Sequence, residues 1–190
     1  MINLDAQSPR HSVSVAGIVF DDHGRALLIR RLDSRRWEPP GGVLELGEGI
    51  HDGLRREVWE ETGLAVEPIV LSGVYKNMPH AVIALVFLCK ITGGALAING
   101  EVSDFRWVTE SETSRLMTEA YAVPVLDALH NEGPAAVRRH DGVHLLLAGN
   151  RRTVKVAGTP PDRKGASAAQ HHRYERSSGH RNASTGGCPG

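Results

Sequence analysis

Cysteine is nearly absent. Cys89 and Cys188 are the only two in 190 residues, so neither a disulfide framework nor a multi-cysteine zinc site can be built from this chain. Long hydrophobic runs are missing too. The longest, Ala81 to Cys89, has nine residues, against the roughly 20 a membrane-spanning helix needs. Met1 to Ser12 lacks the apolar stretch of a signal peptide. Net charge is zero, with 22 basic and 22 acidic residues, which offers no general attraction to nucleic acid or an anionic membrane. The expectation is a reduced, cytoplasmic protein with no membrane partner, in which Cys89 is a small buried hydrophobe. What is present is ordinary for a globular fold: 41% hydrophobic and 23% charged residues. The length suits one domain with an appendage.

The zero net charge conceals an asymmetry. Residues 1–150 hold 14 Lys+Arg against 20 Asp+Glu, whereas residues 151–190 hold 8 against 2. The last forty residues contain no Leu, Ile, Phe, Met or Trp. Such a segment buries too little apolar surface to offset its chain entropy. The expected organisation is an N-terminal extension over 1–11, a folded domain over 12–148 and a basic, disordered tail over 149–190. The tail is either a solvated segment or a basic arm for nucleic acid or for the acidic body.

The body alternates strand and helix signals. His11 to Phe20 and Arg25 to Arg31 read as two strands of a hairpin around Asp21-Asp22-His23-Gly24. Trp37 to Gly42 reads as a Pro/Gly loop, and Gly49 to Thr62 as a helix stopped by Gly63. Val66 to Tyr75, Ala81 to Ile91 and Val102 to Val108 are strand candidates. The second is continuously apolar, as a strand covered on both faces would be. Glu110 to Met117 and Tyr121 to Asn131 read as helices, and Ala135 to Ala148 is open between strand and helix. The pattern predicts an α/β fold, a mixed sheet with helices on both faces.

One helix carries the chemistry. Glu57, Glu60 and Glu61 stand at i, i+3 and i+4, so their like charges crowd one another. At about 100° per residue, Ile50, Leu54 and Val58 form an apolar stripe. Glu61 and Glu57 border it, Glu60 is more open, and Trp59 lies on the far side. A carboxylate at the edge of a core needs a partner. Arg55 and Arg56 are close in sequence, and three converging carboxylates suit a hard divalent ion such as Mg²⁺ or Mn²⁺. Before the helix, Pro39-Pro40 stiffens the chain, and Gly41-Gly42 lets backbone approach a ligand closely. A carbonyl there could complete an oxygen shell.

Read from Gly42, the chain runs Gly, five residues, Glu48, seven residues, then Arg56-Glu57-Val58-Trp59-Glu60-Glu61-Thr62-Gly63-Leu64. This resembles the Nudix box of the Nudix hydrolases at every specified position, and the lead-in Trp37-Glu38-Pro39-Pro40-Gly41 is similar as well. The resemblance implies an α/β/α sandwich with a mixed β-sheet. It also implies Mg²⁺- or Mn²⁺-dependent hydrolysis of a nucleoside diphosphate linked to another moiety. By position in the box, it implies that Glu57, Glu60 and Glu61 bind metal, that Arg56 orients a glutamate by ion pairing, and that Glu48 supports them. The Gly41 carbonyl resembles a backbone metal ligand of some members. Glu101, six residues before Trp107, matches a distal acidic ligand or base, with Asp104 as its local competitor. Glu57 and Glu61 are expected directly on the metal, with Glu60 shared or acting through water.

Weaker features complete the reading. Arg30, Arg31, Arg35 and Arg36 cluster before the proline-glycine loop. Arg30 and Arg36, with Glu48, are the candidate substrate contacts, since arginine suits bidentate phosphate binding. The bland alternative is solvated loop charge. Tyr75, Phe105 and Trp107 stack on a base or pack in the core, and His51, His80, His130 and His144 lack ligand spacing. The expected substrate is a small nucleotide, with a nucleoside triphosphate or small derivative favoured. Two rival functions are a nucleotide-sensing module without turnover and an RNA 5′-end pyrophosphohydrolase that uses the tail. A monomer or a homodimer would serve equally.

Overall fold

The computed structural model describes residues 9–130 and 133–146. In chain order its elements are β1 (Ser12–Val19), β2 (Ala26–Arg31), β3 (Trp37–Glu38), β4 (Gly41–Val43), α1 (Ile50–Thr62), β5 (Leu64–Asn77), β6 (Val82–Gly94), β7 (Val102–Val108), α2 (Glu110–Leu116), α3 (Glu119–Leu129) and β8 (Ala136–His140). The expectations for the tail at 149–190 lie outside the described residues. Among the described residues, no helix is long and apolar enough to cross a membrane.

The strands form a five-stranded sheet, β4-β1-β6-β5-β8, and a three-stranded sheet, β3-β2-β7. The larger sheet is mixed: β1 is antiparallel to β4 and parallel to β6, and β5 is antiparallel to β6 and parallel to β8. Alternation along β1 fills two cores. Val15 and Val19 join Leu54 and Val58 of α1 on one side. Ile18 joins Val125 and Ala128 of α3 on the other. Helices therefore cover both faces, and the architecture is an α/β/α sandwich. Cys89 is buried in the α1-side core, where burial pushes its thiol pKa up to about 12.

Three local expectations are corrected. The first two strands are not a hairpin. After a single bridge, Phe20 to Ala26, they part, and β2 pairs with β7 in the other sheet. The Pro/Gly stretch is not all loop. β3 pairs with β2 and β4 with β1, so Pro39-Pro40, which has no N–H to donate, carries the chain from one sheet to the other. Ile50 does not belong to the buried stripe of α1. It is 43% exposed, and Leu44 from the preceding loop packs against that core instead. The stretch after Ala135 resolves into β8, and α3 starts at Glu119, before the expected Tyr121.

Candidate active site

The register of α1 distributes its glutamates by depth. Leu54 and Val58 are fully buried, and Glu61, one turn on, is 1% exposed. The Glu57 side chain, at the edge of the buried face, is 14% exposed, and Glu60 is 55% exposed. Gly63 ends the helix in the left-handed conformation at φ 74°, so β5 can begin at the next residue.

Arg56 is the organising cation. Its Nε and Nη2 donate to the two oxygens of Glu48 at 2.8 and 3.0 Å. Its Nη1 donates to Glu57 Oε1 at 2.9 Å and Glu60 Oε2 at 3.0 Å. The fork holds Glu48 well below the usual carboxylate range and holds Arg56 firmly protonated. Gly53 makes room for this arrangement, because a Cβ there would meet Glu48 Oε2 at 2.6 Å. Glu57 lies against the backbone of Gly42, where a Cβ would stand 2.3 Å from Glu57 Oε2. Burial raises the Glu57 pKa, Arg56 opposes that, and the like charges of Glu60 and Glu101 add to it.

Glu61 joins three elements. Its Oε2 accepts the Gly41 N–H of β4 at 2.7 Å, and its Oε1 accepts Nη1 of Arg31, at the end of β2, at 2.7 Å. Burial nevertheless pushes its pKa up to about 7. The Gly41 amide and Arg31 pull it down, and Glu38 and Glu57 push it further up. Glu38 is itself held above the usual range, first by burial.

Glu101 is exposed, and its charge reaches Glu57. It is positioned through Asn99. The Asn99 Nδ2 donates to the carbonyls of Glu60 and Glu61 at 2.7 and 3.0 Å. Its Oδ1 accepts the N–H groups of Glu101 and Val102 at 2.8 and 3.0 Å. One amide thus pins the last turn of α1 to the segment that carries Glu101.

The structure thus gathers Gly41, Glu48, Arg56, Glu57, Glu60 and Glu61, with Glu101 at the rim. It does not bring Arg30 or Arg36 into this constellation. Arg30 lies over the Trp37 ring at 5.9 Å, and Arg36 is exposed. Glu38 and Asn99 went unread as site residues, and Arg31 counted only as one of the cluster that could bind substrate phosphates. Glu38 stood in the matched lead-in and Arg31 in the basic cluster, but Asn99 sits in a mostly apolar loop over 95–100 that carries no pattern. Of the aromatic candidates, Tyr75 is buried and donates its hydroxyl to Asp127 at 2.7 Å. Phe105 and Trp107 pack against the α1-side core. His130 and His144 pair with Glu110 and Glu119 at the surface, and His51 contacts Phe87 edge-on.

The donor set fits a hard divalent cation: carboxylate oxygens that repel one another beside exposed backbone, with no sulfur or imidazole among them. As the side chains stand, Arg56 neutralises Glu57 and Glu60. Among the described residues no three acidic, His or Cys side chains converge tightly enough to hold a metal. Binding would require Glu57 and Glu60 to exchange the Arg56 contacts for the ion.

A family model described as the NUDIX domain matches residues 10–129. The chain is 53% identical over 141 residues to a MutT-like protein of Streptomyces ambofaciens, covering 74% of this chain and 91% of that protein. It is 33% identical over 93 residues to the 8-oxo-dGDP phosphatase NUDT18 of Danio rerio, covering 47% of this chain and 28% of that longer protein. Among solved structures it is similar to an ADP-ribose pyrophosphatase of Streptococcus suis. The TM-score is 0.56 at 23% identity, over 67% of this chain and 98% of that one, a likeness of fold.

Proposed function

The chain belongs to the Nudix hydrolase family, and on that premise we propose that it hydrolyses a pyrophosphate bond in a small nucleotide by a divalent-metal-dependent reaction. The observation that carries the reading is the Arg56 fork, which holds Glu57 and Glu60 with Glu48 as its clamp. Glu57, Glu60 and Glu61, the Gly41 carbonyl and Glu101 would hold Mg²⁺ or Mn²⁺. A divalent ion bound there supplies charge neutralisation for the phosphoryl oxygens and acidifies a coordinated water.

The chain's own residues do the rest. Glu61 fixes Gly41 through its amide and ties the loop to Arg31. Gly42 lets Glu57 lie on the backbone. Arg56 orients two carboxylates while Glu48 holds it, and Asn99 sets the distance between α1 and Glu101. The favoured substrates are nucleoside triphosphates, ribo or deoxy, and small nucleotide derivatives. The name of the zebrafish relative adds oxidised guanine nucleotides to that group.

The test is product formation, resolved by chromatography, from a panel of dNTPs, oxidised dGTP, ADP-ribose, NAD, dinucleoside polyphosphates and 5′-triphosphate RNA, each split into a monophosphate and its phosphorylated leaving group. It is run with Mg²⁺, with Mn²⁺ and with EDTA. Hydrolysis of one substrate group should need the metal, vanish in EDTA, and fall at least about 100-fold in Glu57→Gln. Absence of turnover across the panel from folded protein would overturn the proposal.

A further inference from the structure

On the α3 side of the larger sheet, a cavity of about 200 Å³ begins beside Glu38, Gly41 and Gly42 and reaches His140. Gly42 and His140 lie on the two edge strands, β4 and β8. They are therefore separated by four strand spacings, about 19 Å measured along the sheet. That reach exceeds a pyrophosphate and suits a nucleotide. The cavity is lined by small floor residues such as Ala84 and by Tyr121 and Pro124 of α3, which suits a flat ring. Its far end is polar. Asn77 and His140 are register partners on β5 and β8, and both line the cavity.

His140 is only 7% exposed. Its Nδ1 accepts the Gly142 N–H at 3.1 Å, so the neutral ring carries its proton on Nε2. Burial lowers its pKa, against the charge of Asp141, which keeps the ring neutral. No side-chain nitrogen or oxygen that is sealed from solvent among the described residues lacks a partner, and among those residues His140 Nε2 has no acceptor. It is therefore a donor held in a fixed direction, open to the cavity.

We propose that the cavity takes the nucleobase of the substrate, and that His140 Nε2–H donates to a carbonyl oxygen on the edge of that base. The proposal rests on the nucleotide pyrophosphohydrolase reading and adds a specificity-determining residue to it. A base that presents an acceptor satisfies the buried donor. A base without one strips that donor of water and returns nothing, the situation in which polar sites discriminate most strongly.

The experiment measures binding of two product-like probes, GMP and 2-aminopurine riboside 5′-monophosphate, which lacks the ring carbonyl. Wild type should bind GMP about tenfold or more tightly than the carbonyl-free probe. His140→Asn keeps an acceptor for Gly142 but offers nothing at the Nε2 position. It should weaken GMP to the level of the other probe and leave that probe unchanged. His140→Gln, which restores a donor near the Nε2 position, should recover part of the difference. The ¹⁵N signal of His140 Nε2–H in the wild-type protein should move with GMP and not with the carbonyl-free probe, a readout that holds even if the variants fold poorly. Equal affinity of wild type for both probes, no binding of either at millimolar concentration, or an unchanged ratio in His140→Asn would overturn the proposal. Because these measurements need neither metal nor turnover, a clear GMP preference in a protein that hydrolyses nothing would sink the hydrolase reading and leave this one standing. Turnover with an unchanged ratio would do the reverse.

Discussion

Replacing Glu61 by Gln should change how stability depends on pH. Glu61 is 1% exposed, and burial raises its folded pKa from the ordinary 4.5 to about 7. Below pH 4.5 the carboxyl is protonated in both the folded and the unfolded chain and contributes no difference. Between the two values the folded chain keeps a proton that the unfolded chain has lost, so stability falls as pH rises. Above about 7 the full penalty is present, about 3 kcal/mol from the separation of the two values. Roughly three quarters of it accrues between pH 5 and pH 8. Gln cannot titrate, so this part of the profile should disappear. At any single pH the variant also loses a charge-assisted bond from Arg31, but that loss enters as an offset and leaves the slope readable. Urea unfolding in EDTA at pH 5, 6, 7 and 8 would measure it. The wild-type midpoint should fall by about 1 M relative to Glu61→Gln across the range, taking about 2 kcal/mol per M as the denaturant slope. Parallel profiles for the two proteins would refute the reasoning, because they would mean that Glu61 is ionised throughout.

Two further substitutions separate fold from site. Gly41→Ala would place a Cβ 2.2 Å from the Val15 carbonyl, which is backbone, whereas Gly42→Ala would meet the movable end of Glu57. The first should cost stability, lowering the melting temperature by several degrees or more. The second should fold nearly as wild type and lose turnover. Asn99→Ala removes four hydrogen bonds of one amide, two to α1 and two to the Glu101 segment. It should raise the Mn²⁺ dissociation constant, read by electron paramagnetic resonance, by more than its effect on the melting temperature would suggest. Asn99→Asp, which keeps the acceptor and loses the donors, should not rescue it.

The parts of the molecule legible in the sequence were those set by local rules. The register of α1 follows from a 3.6-residue period, and its end from Gly63. The depth order of Glu61, Glu57 and Glu60 then follows from the helical wheel. What escaped was non-local. β2 looks like the return arm of a hairpin because a turn precedes it, yet its main partner is β7, more than seventy residues on. That pairing carries Arg31 to Glu61, and no spacing rule within the box could point there. Ile50 satisfied the apolar period but stands in the first turn of α1, where Leu44 fills the core instead. His140 was missed because its strand, Ala136–His140, is largely exposed along its length and buries only that last residue. Its meaning came from the cavity and not from the chain.

The three-way junction at Glu61 sets folding and chemistry against each other. An apolar residue of similar size there would remove a charge from the interior, and a search for heat tolerance alone would favour it. The same change would cut the Gly41 loop from α1 and leave Arg31 to Asp33 and Glu38 alone. Laboratory evolution under a purely thermal screen should therefore drift away from glutamate at this position and enrich well-folded, inert proteins. A screen that also demands turnover should hold the glutamate and place its stabilising changes elsewhere, in the α3-side core or on the exposed face of β8.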